Sequence, residues 1–138
     1  MEPSTPARGS VTDWLLAMQD HVRRCDYGGA RALFSDEVVA FGTAAGAAVG
    51  LDELESLQWR RVWPRTRQFT YDLDRTRVLD AQGAICVAAS WRSLGVAPDG
   101  TEFTRHGRAT LLLEPRDDRL VATHSHFSLA PDPESGAT

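Results

Sequence analysis

The spacing of apolar residues changes once along the chain, from a helical period to an alternating one. In the first half, apolar side chains recur every three or four residues, which predicts amphipathic helices. The first such stripe consists of Trp14, Leu15, Met18 and Val22. Asp26 can cap a short second helix in YGGARALF, and a third helix is predicted over residues 51–63, ending before Pro64.

A short strand at residues 37–42 separates the second and third helices, and from residue 67 onward the apolar period is two. Further strands are predicted over residues 67–80, 83–96, 101–114 and 120–130. The segment PRDD between the last two has the composition of a hairpin turn. The order α-α-β-α-β-β-β-β, with helices segregated from an antiparallel sheet, predicts an α+β domain over residues 11–130.

The two ends of the chain differ from this domain in composition. Residues 1–10 and 131–138 are rich in Pro, Gly, Ser and Thr, which predicts a disordered N-terminus and a flexible C-terminal tail. The 138 residues carry 15 basic and 19 acidic side chains, for a net charge of -4. Because no basic stripe is available to contact a phosphate backbone, nucleic acid is not an expected partner.

The sequence contains neither the apolar core of a secretory signal nor a membrane-spanning run of ~20 apolar residues. We therefore expect a cytoplasmic protein that does not associate with a membrane. Cys25 and Cys86 lack the CxxC spacing of zinc ribbons and dithiol redox motifs. Two reduced thiols are favoured, and a disulfide between them is left open. No cofactor is expected.

Four segments together resemble those of the nuclear transport factor 2-like superfamily, in its SnoaL-like, ketosteroid-isomerase-like branch. They are CDYGGARALFSDEVVAFG after the first helix, then QWRRVWP, GRATLLLEPRDD and the closing THSHFS. The resemblance implies a strongly curved antiparallel sheet that three helices wrap into a cone, whose open end holds a small hydrophobic molecule. It also implies a homodimer formed through the outer face of the sheet.

The resemblance does not define a reaction, because the same cone hosts isomerases, cyclases, epoxide hydrolases, dehydratases and non-catalytic domains. In ketosteroid isomerases a tyrosine and an aspartate transfer the proton. The matching positions here fall near Met18 and Gly42, which cannot do so. The Asp-Arg-Asp arrangement of the epoxide hydrolases has no clear match. The association domain of a calmodulin-dependent kinase ends in a similar H-x-H strand, which supports the fold and the dimer and implies no catalysis.

The closing segment HSHFS holds the first set of candidate functional residues. A hairpin about PRDD is expected to place Arg108 opposite His126, on the same face as His124, while Val121 and Phe127 lie on the other face. His126 could then act as a general base held by Arg108. The favoured alternative is that both histidines meet a second subunit, because the Phe127 face is the more apolar. Two imidazoles supply too few ligands for a metal site, so none is predicted.

Aromatic residues from all parts of the chain form the second set. Trp59 and Trp63 lie one helical turn apart and share a face, either as a wall of a ligand pocket or as ordinary core. Tyr71 carries a phenol on a strand expected to face inward, and it can donate a hydrogen bond to a ligand carbonyl. The predicted ligand-binding residues are Trp14, Phe41, Trp59, Trp63, Phe69, Tyr71 and Phe127.

The sequence therefore predicts a SnoaL-like domain with a hydrophobic pocket for a small metabolite of polyketide or terpenoid type. Two hypotheses stay open at this point. In the first, the domain is an isomerase, cyclase or dehydratase with His126, Tyr71 and Arg108 as the candidate catalytic residues. In the second, it is a non-catalytic dimer that binds a ligand or supports an assembly.

Overall fold

The computed structural model describes residues 5–131, with side chains from residue 10 onward. Helix α1 spans Thr5–Arg24 and so begins within the N-terminal segment predicted to be disordered. Pro6 stands in its first turn, where the backbone N–H groups have no helical partner and a proline therefore costs no hydrogen bond. Residues 1–4 and 132–138, at the two predicted flexible ends, lie outside the described residues.

Asp26 follows α1 and caps the short helix α2 (Tyr27–Arg31). Its carboxylate accepts a hydrogen bond from the backbone N–H of Gly29 at 3.0 Å, which satisfies a donor that the first helical turn leaves free. The same hydrogen bond holds the pKa of Asp26 below its usual value. The cap predicted from the sequence is confirmed.

The third helical segment changes its winding along its length. It begins as α3 (Leu51–Leu54), continues as a π-helical turn at Glu55–Trp59, resumes as α4 (Arg60–Val62) and ends in a 3₁₀ turn at Trp63–Arg65. Because a π turn holds an extra residue, both Gln58 and Trp59 reach the interior. Residues 51–63 are thus helical as predicted, with a bulge that the apolar spacing did not indicate.

Within the described residues, seven strands form one curved sheet. They are β1 (Phe34–Phe41), β2 (Ala48–Val49), β3 (Thr66–Tyr71), β4 (Arg77–Asp80), β5 (Ile85–Val96), β6 (Glu102–Arg116) and β7 (Arg119–Leu129). Their order is β2-β1-β7-β6-β5-β3, and β4 pairs with β5. The predicted α+β class, with three helices against a curved sheet, is confirmed.

The sheet is mixed, whereas the sequence predicted an antiparallel one. β1 runs parallel to β7, with Val39 beside His124, and the other strand pairs are antiparallel. A parallel pair needs a long crossover connection, and the chain between β1 and β7 contains the third helical segment and most of the sheet. A 3₁₀ turn at Leu73–Arg75 also divides the predicted strand 67–80 into β3 and β4.

β6 and β7 form the predicted hairpin, with a tight turn at Asp117 and Asp118. Asp117 has a φ of 56°, a left-handed conformation that aspartate tolerates in turns. Arg108 lies opposite Ser128, not opposite His126 as predicted. The register differs by two residues, and an even shift leaves the side chains from His124 onward on their expected faces.

A β-bulge interrupts β7 at Thr123. The register shift falls between the pairs Leu112–His124 and Leu113–Ala122. Because β7 has one extra residue there, the alternation reverses beyond it. Val121 consequently lies on the opposite face from Phe127, and the prediction that these two side chains share a face is wrong.

One hydrophobic core lies between the helices and the sheet face that they cover, here called the inner face. The inner-face residues of β5, β6 and β7 that are fully buried include Val87, Leu111, Leu113 and Ala122. Helix α1 covers them with the predicted stripe, in which Leu15 and Met18 are both buried. The opposite, outer face carries Arg92, Thr110 and His126, all exposed.

Tyr71 belongs to this core. Its backbone N–H donates to the side-chain oxygen of Gln19 at 2.9 Å, and its ring meets Phe69 edge-on with centroids 5.0 Å apart. The phenolic hydroxyl is buried and has no hydrogen-bond partner among the described residues. Burial raises the pKa of Tyr71 far above its usual value, so the hydroxyl stays protonated at all physiological pH values.

Replacing Tyr71 with phenylalanine is expected to raise the free energy of unfolding by about 1 kcal/mol, because it removes a buried hydroxyl that lacks a partner. Urea unfolding measures the change. Tyr27→Phe is the matched control, because Tyr27 is only partly buried, and no gain is expected there. A loss of stability in Tyr71→Phe would contradict the assignment, since it would mean that the hydroxyl is satisfied.

Gly107 lies opposite Trp91 in the β5–β6 pair. A methyl group on Gly107 would collide with the indole ring of Trp91 and would stand 2.6 Å from the carbonyl oxygen of Ser128. Gly107→Ala is therefore expected to lower the free energy of unfolding by about 1–3 kcal/mol. Gly46→Ala is the control, because a methyl group there meets nothing within 4 Å. Equal unfolding midpoints for the two variants would contradict this prediction.

Candidate functional site

A cavity opens between α1, the third helical segment and the inner face of the sheet. It is narrow, with a volume of about 50 Å³, so a ligand larger than a few atoms requires the lining side chains to move apart. Its lining is mostly apolar, and six aromatic rings dominate it: those of Phe34, Trp59, Trp63, Phe69, Trp91 and Phe127. Such a lining suits a flat apolar molecule.

Stacked rings form the helical wall of the cavity. The indoles of Trp59 and Trp63 are nearly parallel, with centroids 4.8 Å apart and an interplanar angle of 20°. Tyr27 stacks on Trp63 with centroids 5.4 Å apart, and the guanidinium carbon of Arg60 lies 4.2 Å from the Tyr27 ring centroid. These contacts hold both indoles in a defined orientation at the cavity.

Three rings on the inner face form the opposite wall. The centroid of Phe69 on β3 lies 5.7 Å from that of Trp91 on β5, and Phe127 on β7 lies 6.4 Å from Trp91. The indole N–H of Trp91 donates to the carbonyl oxygen of Arg108 at 3.3 Å. The indole therefore lies across β6, over the space that Gly107 leaves open.

Gln58 fixes the loop at the mouth of the cavity. Its side-chain oxygen accepts hydrogen bonds from the backbone N–H groups of Ala44 and Ala45, both at 2.8 Å, and its amide group donates to the hydroxyl of Thr43 at 3.0 Å. A side chain on Gly42 would collide with this amide. The oxygen and the nitrogen of the Gln58 side chain thus both hold the loop.

The remaining polar groups of the lining are on the strands. Ser93 and Ser125 are buried, and Arg105 is partly buried, with its guanidinium carbon 5.7 Å from the centroid of the Trp91 ring. Burial lowers the pKa of Arg105, although a guanidinium stays protonated in proteins. Among the cavity-lining residues that the structure describes, Arg105 is the only ionisable side chain.

Five residues of the predicted ligand-binding set line the cavity, namely Phe41, Trp59, Trp63, Phe69 and Phe127. The other two occupy different places. Trp14 is buried beside the cavity, where its indole N–H donates to the carbonyl oxygen of Leu33 at 3.1 Å. Tyr71 lies behind Phe69 in the core and does not reach the lining.

Phe41 borders the cavity mouth, but its ring is on the outer face. The ring is 41% exposed and meets His124 and His126 edge-on, with centroids 5.6 and 5.4 Å apart. The alternation along β1 explains this placement, because Val38 and Ala40 take the buried positions. Phe41 thus contributes to the cavity lining at its mouth, while its ring points to the outer face.

His124, His126 and Arg108 lie away from the cavity. A ring nitrogen of His124, Nδ1, lies 2.7 Å from the carbonyl oxygen of Val39, while His126 is exposed opposite Thr110 on the outer face. Arg108 is exposed on the same face. The structure thus brings the candidate base His126 and Arg108 to the surface that the sequence favoured for contact with a second subunit, and it separates both from Tyr71.

Three other sequence expectations concern the cysteines, a metal site and a membrane span. Cys25 and Cys86 are both free thiols. In the part of the chain with described side chains, no three His, Cys, Asp or Glu side chains converge on one point. No helix among the described residues is long and apolar enough to cross a membrane.

Sequence reasoning missed Ser93 and Arg105, although the signal for them was present. Strand β5 alternates, and every second residue from Ile85 to Trp91 is buried, so Ser93 is the next inward position. Arg105 is two residues before Gly107 and shares its face of β6. A polar side chain at an inward position of a well-alternating strand is an exception to the pattern, and such an exception indicates a site.

Comparisons with known proteins agree with this architecture. A family model described as "SnoaL-like domain" matches residues 11–133. No curated protein matches the chain. Among solved structures, an NTF2-like superfamily protein from Salmonella enterica is similar at 16% identity and a TM-score of 0.78, over 95% of this chain and 96% of that one.

Two further structures carry names that suggest chemistry. A putative aromatic ring hydroxylase from Novosphingobium aromaticivorans has 17% identity and a TM-score of 0.80, over 95% of this chain and 94% of that one. The hexachlorocyclohexane dehydrochlorinase LinA-type3 from Novosphingobium barchaimii has 16% identity and a TM-score of 0.73, over 90% and 86%. At these identities the likeness shows the fold, while the family match covers most of the sequence. The chain belongs to the SnoaL-like domain family.

Proposed function

We propose that this domain binds a small, flat, hydrophobic molecule in the cavity between the two aromatic walls. The observation that carries the proposal is the arrangement of the rings, with Trp59 and Trp63 on one side and Phe69, Trp91 and Phe127 on the other. Aromatic rings that neighbouring side chains already hold in place lose little conformational entropy when a ligand binds beside them. A planar polyketide- or terpenoid-like metabolite fits this description.

The lining favours binding over acid–base catalysis. An isomerase, cyclase or dehydratase needs a group that exchanges a proton near neutral pH within reach of the substrate. Arg105, the one ionisable side chain among the described lining residues, holds its proton too tightly for that role. His126 and Tyr71, which sequence reasoning offered for it, lie on the outer face and in the core respectively.

The tryptophans provide a direct test of this proposal. Three of the four line the cavity and Trp14 does not. Titration of ¹⁵N-labelled protein with 2-naphthamide, a flat neutral aromatic, is expected to shift the indole N–H signals of Trp59, Trp63 and Trp91. The Trp14 signal serves as an internal control and should move least. Absence of shifts at saturating concentrations, or equal shifts of all four signals, would contradict the proposal.

The same valine-to-phenylalanine change at two positions tests whether the ligand binds in the cavity. Val62 lines it, whereas Val49 is 66% exposed on β2. Val62→Phe fills space within the cavity and is expected to weaken naphthamide binding at least tenfold, which a steric clash with the ligand readily supplies. Val49→Phe adds the same group at the surface and should leave the affinity unchanged.

We also propose that two copies of the chain associate through the outer face of the sheet. The observation that favours this is the exposure of Val39 and Phe41, 40% and 41%, beside His124 and His126 on a sheet face that no described helix covers. Apolar side chains clustered on such a face are typical of interfaces.

Sedimentation velocity tests the dimer. The wild-type protein is expected at twice the 15.2 kDa of one chain, and His126→Glu at the monomer mass, because a carboxylate would be desolvated beside Phe41. Leu16→Glu on α1, at a position 43% exposed, is the control and should remain dimeric. A monomeric wild-type protein, or an unchanged dimer in His126→Glu, would contradict the proposal.

A further inference from the structure

Two polar side chains meet at one place in the otherwise apolar lining. Ser93 on β5 and Arg105 on β6 are direct cross-strand partners, and both line the cavity. Because paired residues point to the same face of a sheet, their side chains are neighbours on the inner face. The strands themselves therefore build a small polar site beside the ring of Trp91.

Ser93 is unsatisfied within the described protein. The side chain is 4% exposed, and its hydroxyl has no hydrogen-bond partner among the described residues. A buried hydroxyl without a partner destabilises the folded protein, because it loses its hydrogen bonds to water. Alanine or valine would fill this inward position of β5 at no such cost, so the hydroxyl is better explained by a partner that enters the cavity.

Arg105 likewise has no acidic partner among the residues whose side chains are described. Its guanidinium carbon lies 5.7 Å from the centroid of the Trp91 ring. Its stem lies against Gly95, where a methyl group would stand 3.0 Å from Cδ of Arg105. The Trp91 ring and the packing of the Arg105 stem thus hold the partly desolvated guanidinium at the cavity. A bound anion would stabilise such a cation strongly.

We infer that Ser93 and Arg105 bind the carboxylate of a flat apolar acid whose hydrocarbon body lies between the two aromatic walls. A planar guanidinium matches a planar carboxylate through two parallel hydrogen bonds, and the serine hydroxyl donates a third. The narrow cavity favours this planar anion over a bulkier tetrahedral one. The inference rests on the proposed function, since it names the ligand class of the same cavity.

The test compares two ligands of nearly the same size, one anionic and one neutral. 2-Naphthoate and 2-naphthamide have nearly the same shape, and calorimetric titration gives the affinity of each for the full chain. The wild-type protein is expected to bind naphthoate at least tenfold more tightly, in line with a charge-assisted hydrogen-bonded pair. Arg105→Met, which keeps an apolar stem over Trp91, should abolish the preference, while Arg105→Lys should retain part of it.

Two more variants make the assignment specific. Ser93→Ala should weaken naphthoate binding severalfold and leave naphthamide binding nearly unchanged. Arg92→Met is the matched control, because Arg92 is exposed on the outer face of the same strand, and the preference for naphthoate should persist there. Thermal unfolding of each variant verifies that the fold is retained.

The outcomes separate this inference from the proposed function. Equal affinities of the wild-type protein for the two ligands would overturn the carboxylate site and leave the hydrophobic site standing. A preference for naphthoate that survives in Arg105→Met would also overturn it, because the anion would then bind elsewhere. Binding of neither compound would overturn both proposals.

Discussion

The contact between Trp91 and Gly107 is the constraint on which the interior depends. A cross-strand pair of ordinary side chains would keep both clear of the sheet, but the missing side chain at Gly107 lets the indole lie flat across β6. Its N–H then donates to the carbonyl oxygen of Arg108, and its faces and edges meet Phe69, Phe127 and the Arg105 guanidinium. The indole is thus at once the centre of one aromatic wall and the support of the polar site.

The opposite wall depends on a local irregularity of the helix. The π turn at Glu55–Trp59 presents Gln58 and Trp59 to the interior together, whereas successive residues of a regular helix point about 100° apart. Gln58 uses this position to satisfy the backbone of the mouth loop. Trp59 uses it to stack on Trp63. The entrance and the wall are therefore coupled through one turn.

Patterns within the sequence predicted what depends on local periodicity, namely the helices, the strand alternation, the cap at Asp26 and the inward position of Phe127. Features that depend on distant partners were not predictable in this way. Strand β1 has apolar residues on both faces, so alternation could not tell that Phe41 points outward. The bulge at Thr123 follows from the parallel and antiparallel neighbours of β7 together. The π turn leaves every apolar position in a helical period and so gives no signal of its own.

Ser93 and Arg105 connect the energetics of the fold with its function. An interior optimised for stability alone would place apolar residues at both positions, because the surrounding strands already supply matching inward neighbours. The chain instead keeps a buried hydroxyl without a partner and a partly buried cation without a counterion among the described residues. Groups left unsatisfied at one end of an apolar cavity are destabilising when it is empty and stabilising when an anion fills it. Ligand binding and stability should accordingly be linked, with the occupied domain the more resistant to unfolding.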